Sequence, residues 1–221
     1  SALLMAPEGH GSIGNATLFA MCVGKNSHVG EHFQVLNSSL ISSQLISAVE
    51  GDPESSDVWM GKHYSPYTCL RTRNIGDVYS VTLPERTAVL FNVLMVTKTP
   101  SQLMDYFNRK AVQAVTEALN ILHSRRLKLQ QDGYEGLPDF SYTPKVISYP
   151  ELIQKIPSKH PQMNLLEAQQ KFMDSLSADL DTQDRGIALA DYMLDLAEEE
   201  GPFILTGLMS PYCQPRLNKR E

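Results

Sequence analysis

The stretch VYSVTLPERTAVLFNVLMVTKTPS, residues 78–101, decides the predicted fold. Residues 78–83 alternate between apolar and polar side chains, which is typical of a strand with one exposed face. Residues 84–87 have the composition of a turn, and residues 88–97 are mostly apolar and rich in β-forming side chains. We therefore predict a β-hairpin over residues 78–97, with one outer strand and one buried strand.

A long amphipathic helix follows this hairpin. Thr99 or Ser101 can cap its N-terminus, and Pro100 suits a first helical turn because its missing N–H would have no partner there. Apolar side chains then recur at spacings of three and four along one face: Leu103, Phe107, Ala111, Ala114, Ala118 and Leu122. We predict a helix over residues 101–130 that packs across the sheet.

The other segments indicate a mixed fold. Residues 16–23 form an apolar run of strand length, residues 32–36 alternate like a strand, and residues 40–49 have helical spacing. The part of the chain over residues 150–200 is predicted to be helical. The prediction is an α+β fold with a small, mainly antiparallel sheet, a long crossing helix and a C-terminal helical part. An α/β arrangement is the alternative if residues 13–23 are helical.

A glycine- and aromatic-rich connection that begins at Gly133 is the best candidate for a domain boundary. We predict a first unit over residues 1–133, which holds the hairpin and the long helix. The second unit, over residues 134–221, holds the connection, the helical part and a basic tail. One continuous domain is the alternative.

Composition and charge exclude several classes of protein. The 221 residues are 42% hydrophobic, which is enough for a folded core, and the formal net charge of -6 is the opposite of what a nucleic-acid-binding chain needs. The three cysteines are odd in number and widely spaced, unlike a disulfide framework. No apolar run approaches the length of a membrane span. We expect a cytoplasmic protein with no membrane span, for which nucleic acid is a disfavoured partner.

Three groups of residues are candidates for an interaction surface. Residues 164–200 carry ten acidic side chains against two basic ones, so a basic partner could dock there. Aromatic side chains interleaved with basic ones near residue 62 could contact a partner as well. The candidate residues are Asp191, Asp195 and Glu198 on the acidic helices, Trp59, Tyr64 and Tyr67 among the aromatics, and Arg216, Lys219 and Arg220 in the basic tail.

The segment Gly9-His10-Gly11-Ser12-Ile13-Gly14 spells GxGxxG, a pattern that brings backbone amides close to a phosphate at a helix N-terminus. It predicts nucleotide-binding residues: Gly9, Gly11, Ser12 and Gly14. Two features oppose this interpretation. Pro7-Glu8 separates the preceding apolar residues from the first glycine, and no acidic residue stands about 20 positions further on to bind a ribose.

The segment His28-Val29-Gly30-Glu31-His32 matches HxxEH, a zinc-binding pattern. On a helix, His28 and His32 would lie one turn apart and could share a metal ion, with Glu117 as a third ligand. Gly30 inside the segment and β-forming residues after it oppose a helix there.

The sequence contains no convincing paired-carboxylate, Cys/His or Ser/His constellation. We therefore predict a non-catalytic protein–protein interaction or assembly protein: a scaffold, an adaptor, or a self-associating shell or matrix subunit. Its partner would be another protein or a second copy, and we expect no cofactor. The alternative is a nucleotide-dependent enzyme that uses the glycine-rich loop 9–14.

Overall fold

The computed structural model describes residues 13–76 and 81–214. Within these ranges, the strands are β1 (Gly14–Val23), β2 (Val58–Trp59), β3 (Lys62–His63), β4 (Thr68–Ile75), β5 (Arg86–Met95), β6 (Val146–Ser148) and β7 (Phe203–Cys213). The helices are α1 (Ser38–Val49), α2 (Pro100–Gln131), α3 (Tyr149–Lys159), α4 (Leu165–Ser175) and α5 (Thr182–Ala197).

Five of the strands form one sheet in the order β4-β5-β1-β7-β6. Strand β1 lies at the centre and runs antiparallel to both β5 and β7, with Asn15 opposite Cys213 at one end and Val23 opposite Phe203 at the other. Strand β4 is antiparallel to β5, and β6 is parallel to β7. Strands β2 and β3 form a separate short hairpin. The predicted α+β fold with a mainly antiparallel sheet is confirmed.

Helices cover both faces of the sheet. Helices α1 and α2 pack on one face, and α3 and α5 pack on the other, with α4 lying on α5. The side chains of β1 alternate between the two layers: Leu18 and Ala20 belong to the core under α1 and α2, whereas Phe19 and Met21 belong to the core under α3 and α5. This double coverage explains why the whole strand is apolar.

The predicted long helix is α2, which begins at Pro100 and ends at Gln131. Thr99 caps it in a capping box with Gln102, so two backbone N–H groups at this end have partners. The predicted apolar face is buried along its whole length: Leu103, Phe107, Ala111, Ala114, Ala118 and Leu122.

The outer strand predicted over residues 78–83 is wrong in its described part. Residues 81–85 form no strand and contribute a single bridge, from Thr82 to His28. The outer neighbour of β5 is instead β4. Its sequence is polar and basic, so it lacks the apolar pattern that predicts a strand. Residues 78–80 lie outside the described ranges.

The strand predicted over residues 32–36 is also wrong, because the segment forms turns that lead into α1. Strand β1 is already paired on both sides, so the sheet leaves no position beside it for this segment. Residues 14–23 are extended, not helical, which excludes the α/β alternative.

Strands from both predicted units contribute to the one sheet, since β7 pairs with β1. The division near residue 133 stays a prediction. Over the described residues, no helix combines the length and the apolar character that crossing a membrane requires.

Candidate functional site

The connection that follows β1 is held by backbone hydrogen bonds on both sides. Gly24 N–H donates to Glu85 O at 2.7 Å, and Lys25 N–H donates to Leu36 O at 3.1 Å. Further along, Leu83 N–H donates to Ser27 O at 2.8 Å, and Val29 N–H donates to Val81 O at 3.0 Å. Residues 24–29 are therefore a fixed connection, although most of their side chains are exposed.

Gly24 is the residue around which this connection is built. A Cβ atom at this position would lie 2.4 Å from Leu36 O and 2.6 Å from Ser38 N, distances at which atoms overlap. Gly201, which precedes β7, approaches from another side, and a Cβ atom on it would lie 2.0 Å from Gly24 O. Three backbone segments therefore meet here, and glycine allows them to do so.

His28 stands at the tip of the connection, at the N-terminus of a single 3-10 turn over Val29–Glu31. Its Nδ1 accepts a hydrogen bond from Gly30 N–H at 3.1 Å, which orients the ring. Ser27 Oγ donates to Glu31 Oε2 at 2.6 Å across the same turn and closes it. The side chain of His28 is exposed, so an oriented imidazole faces solvent.

This geometry determines what His28 can do. When one ring nitrogen of a neutral imidazole accepts a hydrogen bond, the other carries the hydrogen atom. With Nδ1 occupied by Gly30 N–H, Nε2–H is an outward-facing donor. An oriented donor of this kind can bind a carbonyl oxygen or the negative charge that develops on it during attack.

The predicted metal centre is not formed. The helix that it needs over residues 28–32 is replaced by the 3-10 turn, the His32 ring packs edge-on against Phe33 at 5.4 Å between centroids, and Glu117 is exposed on α2. Within residues 13–76 and 81–214, no three His, Cys, Asp or Glu side chains lie together as a possible metal site.

The predicted nucleotide-binding loop falls mostly outside the described residues: Gly9, Gly11 and Ser12 lie there. Gly14 is the first residue of β1. A strand therefore follows the glycines at the point where the predicted phosphate site requires a helix N-terminus.

The three aromatic residues predicted to form a surface have different positions. Tyr67 is fully buried in the core and packs edge-on against Tyr106 at 5.0 Å between centroids, so it is unavailable to a partner. Its burial raises the pKa of the hydroxyl above the usual value. Trp59 and Tyr64 are half-buried beside the β2–β3 hairpin.

The three acidic residues predicted to dock a partner also form ion pairs within the chain, and Asp195 and Glu198 remain exposed. Asp191 and Asp195 each lie within 2.7 Å of Arg86 Nη1, and Glu198 lies 3.5 Å from Lys159 Nζ. Burial alone would lower the pKa of Arg86, but hydrogen bonds with Asp191 and Asp195 raise it above the usual value. These carboxylates join α5 to the sheet and to α3. The predicted basic residues Arg216, Lys219 and Arg220 lie outside the described residues.

Sequence reasoning missed the turn that holds His28, which the hydrogen bond between Ser27 and Glu31 closes. Ser27 and Glu31 are four positions apart and polar, which is a weak signal in a segment with no helix. The contact of Gly24 with Leu36 and Gly201 depends on the tertiary fold, so no local sequence pattern predicts it.

No family model matches the chain. "Uncharacterized protein YqjN" of Bacillus subtilis is 24% identical over 211 residues, which are 96% of this chain and 38% of that protein. The chain thus spans about two fifths of the length of this relative.

Several solved structures align with most of the chain. The aminobenzoyl-glutamate utilization protein of Klebsiella pneumoniae aligns with 87% of this chain and 43% of its own, at 11% identity and a TM-score of 0.35. Aminopeptidase PepT of Bacillus cereus aligns with 89% and 44%, at 9% identity and a TM-score of 0.37. A tripeptidase of Staphylococcus aureus aligns with 90% and 44%, at 10% identity and a TM-score of 0.36.

The prediction of a non-catalytic scaffold, adaptor or shell subunit is corrected by these findings. Two of the aligned structures are named as an aminopeptidase and a tripeptidase. Tyr67, one of the predicted interaction residues, is fully buried. The low identities and TM-scores assign no particular activity to the chain.

Proposed function

We propose that this chain is part of a hydrolytic enzyme and that His28 donates a hydrogen bond to the substrate. The observation that carries the proposal is the hydrogen bond from Gly30 N–H to His28 Nδ1 at 3.1 Å. It leaves Nε2–H as a donor at the exposed tip of a connection whose backbone is fixed. Hydrolysis of an amide develops negative charge on the carbonyl oxygen, and an oriented donor stabilises that charge.

The proposal assigns the attacking group to other parts of the protein. The described residues contain no cluster of three His, Cys, Asp or Glu side chains around a common centre. On this proposal, the turn of His28 completes a site whose other groups lie outside residues 13–76 and 81–214. Catalytic and binding residues often lie on loops that a rigid scaffold positions, as the turn of His28 is positioned here.

The test uses the longest natural protein that contains this sequence. Because the aligned structures are named for peptides and an aminobenzoyl-glutamate, the substrates tested first are dipeptides, tripeptides and N-acyl amino acids, with release of the free amine as the measurement. We expect hydrolysis of at least one class. His28→Ala should lower kcat by about 100- to 1,000-fold, the usual cost of removing one such donor.

Two further variants separate a role in the reaction from a role in folding. His28→Gln keeps an N–H donor near the same position and should retain more activity than His28→Ala. His63→Ala removes an exposed imidazole on β3 and should leave kcat unchanged. The proposal fails if no amide is hydrolysed, or if His28→Ala has the same kcat as the unmodified protein.

A further inference from the structure

A cavity of about 380 Å³ lies on the side of the sheet that faces α3 and α5, and none of the residues 24–31 lines it. The N-terminal half of α5 forms one wall and residues 207–210 of β7 form another, while Tyr149 of α3 and Met173 of α4 close the ends. Its volume is at the small end of the range for small-molecule sites. It is therefore a separate feature from the turn of His28.

Two glycines line this space. Gly186 is inside α5, where glycine costs helix stability, and Gly207 is inside β7, where it leaves the strand without a side chain to pack. A Cβ atom on Gly186 would lie 3.0 Å from Cε of Met209, so the flexible end of Met209 covers the helix at this point. Methionine adapts to a bound apolar group at low cost because its side chain is unbranched.

The wall of the cavity is mainly apolar, with contributions from Phe19, Leu189 and Ala190. Three residues with hydroxyl groups also line it: Tyr149, Thr182 and Ser210. Thr182 and Ser210 are exposed, so they lie where the cavity meets solvent. A mainly apolar pocket with a few polar groups is the usual form of a small-molecule site.

Arg185 is the only charged residue among the described residues that line the cavity. Its Nη1 and Nη2 donate to Ser177 O at 3.1 Å and to Met173 O at 2.7 Å, which holds the guanidinium in place. These partners are neutral carbonyls. The acidic neighbours Asp181 and Asp184 lie on the same turn but are paired with Arg71 of β4. Among the described residues, no carboxylate forms an ion pair with Arg185.

We propose that this cavity binds a small amphiphilic carboxylate. An apolar body of about six to eight carbons, or one aromatic ring, suits the volume and the wall. The carboxylate lies toward Arg185, which attracts a negative end group and disfavours a positive one. The hydroxyls of Tyr149, Thr182 and Ser210 supply further hydrogen bonds to the polar end.

The experiment measures binding of four probes to the longest natural protein that contains this sequence, by calorimetry. Octanoate and 3-phenylpropionate carry the proposed end group, 1-octanol is neutral and octylamine is cationic. We expect Kd values below about 1 mM for the two carboxylates. Octylamine should bind at least about tenfold more weakly than octanoate.

Variants place the binding in this cavity. Ser210→Trp fills the mouth from an exposed position and should abolish binding of octanoate. Arg185→Gln should weaken the binding of octanoate by at least about tenfold and leave the binding of 1-octanol unchanged. Arg185→Lys should retain most of the affinity for octanoate. Lys171→Gln on α4 changes a charge outside the cavity and is the matched control, with no effect on any probe.

The proposal is overturned by no binding of either carboxylate, by equal binding of octylamine and octanoate, or by undiminished binding of octanoate to Ser210→Trp. A loss of binding in Arg185→Gln that Arg185→Lys does not restore would also overturn it, because the charge would then play no part. The proposed hydrolytic activity is measured separately, so failure of either proposal leaves the other intact.

Discussion

Gly24 and Gly186 are two glycines with different neighbours: rigid backbone surrounds Gly24, and a flexible side chain covers Gly186. Substitution by alanine measures how much each position tolerates a Cβ atom. At Gly24 a Cβ atom would lie 2.4 Å from the backbone oxygen of Leu36, which cannot move without α1. At Gly186 the nearest atom is the end of the Met209 side chain at 3.0 Å. We expect Gly24→Ala to lower the free energy of unfolding by about 1–3 kcal/mol, the usual cost of overfilling a packed site.

Gly186→Ala should be close to neutral. Alanine in a helix interior gains up to about 1 kcal/mol over glycine, which offsets the displacement of Met209. Urea unfolding of both variants measures the difference. Equal losses in the free energy of unfolding would contradict this prediction, because the backbone around Gly24 would then move as easily as the side chain of Met209.

Asp57 is a buried carboxylate that holds the start of α2 in place. Its Oδ2 accepts hydrogen bonds from Val96 N–H and Thr97 N–H, both at 2.7 Å, and from Lys98 N–H at 3.1 Å. Burial alone would raise the pKa of Asp57, but the hydrogen bonds from Thr97, Val96 and Lys98 together lower it.

We expect Asp57→Asn to destabilise the protein by about 1–3 kcal/mol, because an amide oxygen is a weaker acceptor and its NH₂ group faces donors. The measurement is again the urea midpoint. Asp179→Asn, at an exposed position, is the control and should leave the midpoint unchanged. An unchanged midpoint for Asp57→Asn would mean that these backbone amides find other partners.

At the scale of elements, arginines on the sheet tie it to α5. Arg86 of β5 is paired with Asp191 and Asp195, and its side chain is 16% exposed. Arg73 of β4 is paired with Asp184 at 3.1 Å, and its side chain is 55% exposed. The two pairs join the same layers but differ in burial.

This difference predicts unequal losses. Arg86→Ala should cost about 2 kcal/mol, less than for a fully buried pair because Asp195 is exposed. Arg73→Ala should cost at most about 1 kcal/mol, as for other surface pairs. Thermal unfolding of the two variants at low and at moderate salt gives the comparison. A larger loss for Arg73→Ala would contradict the assignment of Arg86 as the main link.

The elements that the sequence predicts correctly are those whose signals are local. Helix α2 is an example, because Thr99 and Pro100 define its start and one apolar face runs along it. Strand β4 carries no such signal: its sequence is polar, and it is a strand because β5 offers it a partner. Residues 32–36 have the composition of a strand but no neighbouring strand to pair with.

The candidate site was less predictable than the fold. His28 was singled out as a metal ligand on a helix, whereas its orientation comes from Gly30 in a 3-10 turn. The ion pair between Arg86 and Asp191 joins residues 105 positions apart, so no local pattern contains it. Contacts of this kind follow from the order of strands in the sheet, which periodicity does not specify.

At the scale of the whole molecule, several carboxylates make the stability depend on pH. A hydrogen bond from Lys110, helped by one from Tyr106, lowers the pKa of Asp52 from 3.8 to about 2. Hydrogen bonds from Lys145 and Lys155 outweigh burial and lower the pKa of Glu199. A lowered pKa means that the unfolded chain binds protons at a pH where the folded protein does not.

The stabilisation that these carboxylates contribute is therefore fully present when the pH is above their pKa in the unfolded chain. It is lost as the pH falls through their pKa in the folded protein. For Asp52 the window extends from 3.8 down to about 2. We expect the free energy of unfolding, measured with urea, to decrease with decreasing pH across this window. Asp52→Asn should make this decrease in the free energy of unfolding shallower. If the dependence on pH is the same in the variant, Asp52 does not contribute to it.

The pairing of Asn15 with Cys213 brings the first and last strands together at one end of the sheet. Neighbouring strands lie about 5 Å apart, so the chain enters and leaves this unit at nearly the same point. A longer polypeptide could carry such a unit between two of its own residues without opening a gap in its backbone path. His28 follows the opposite end of β1, so it would lie at the far end of such a unit from the two points of attachment.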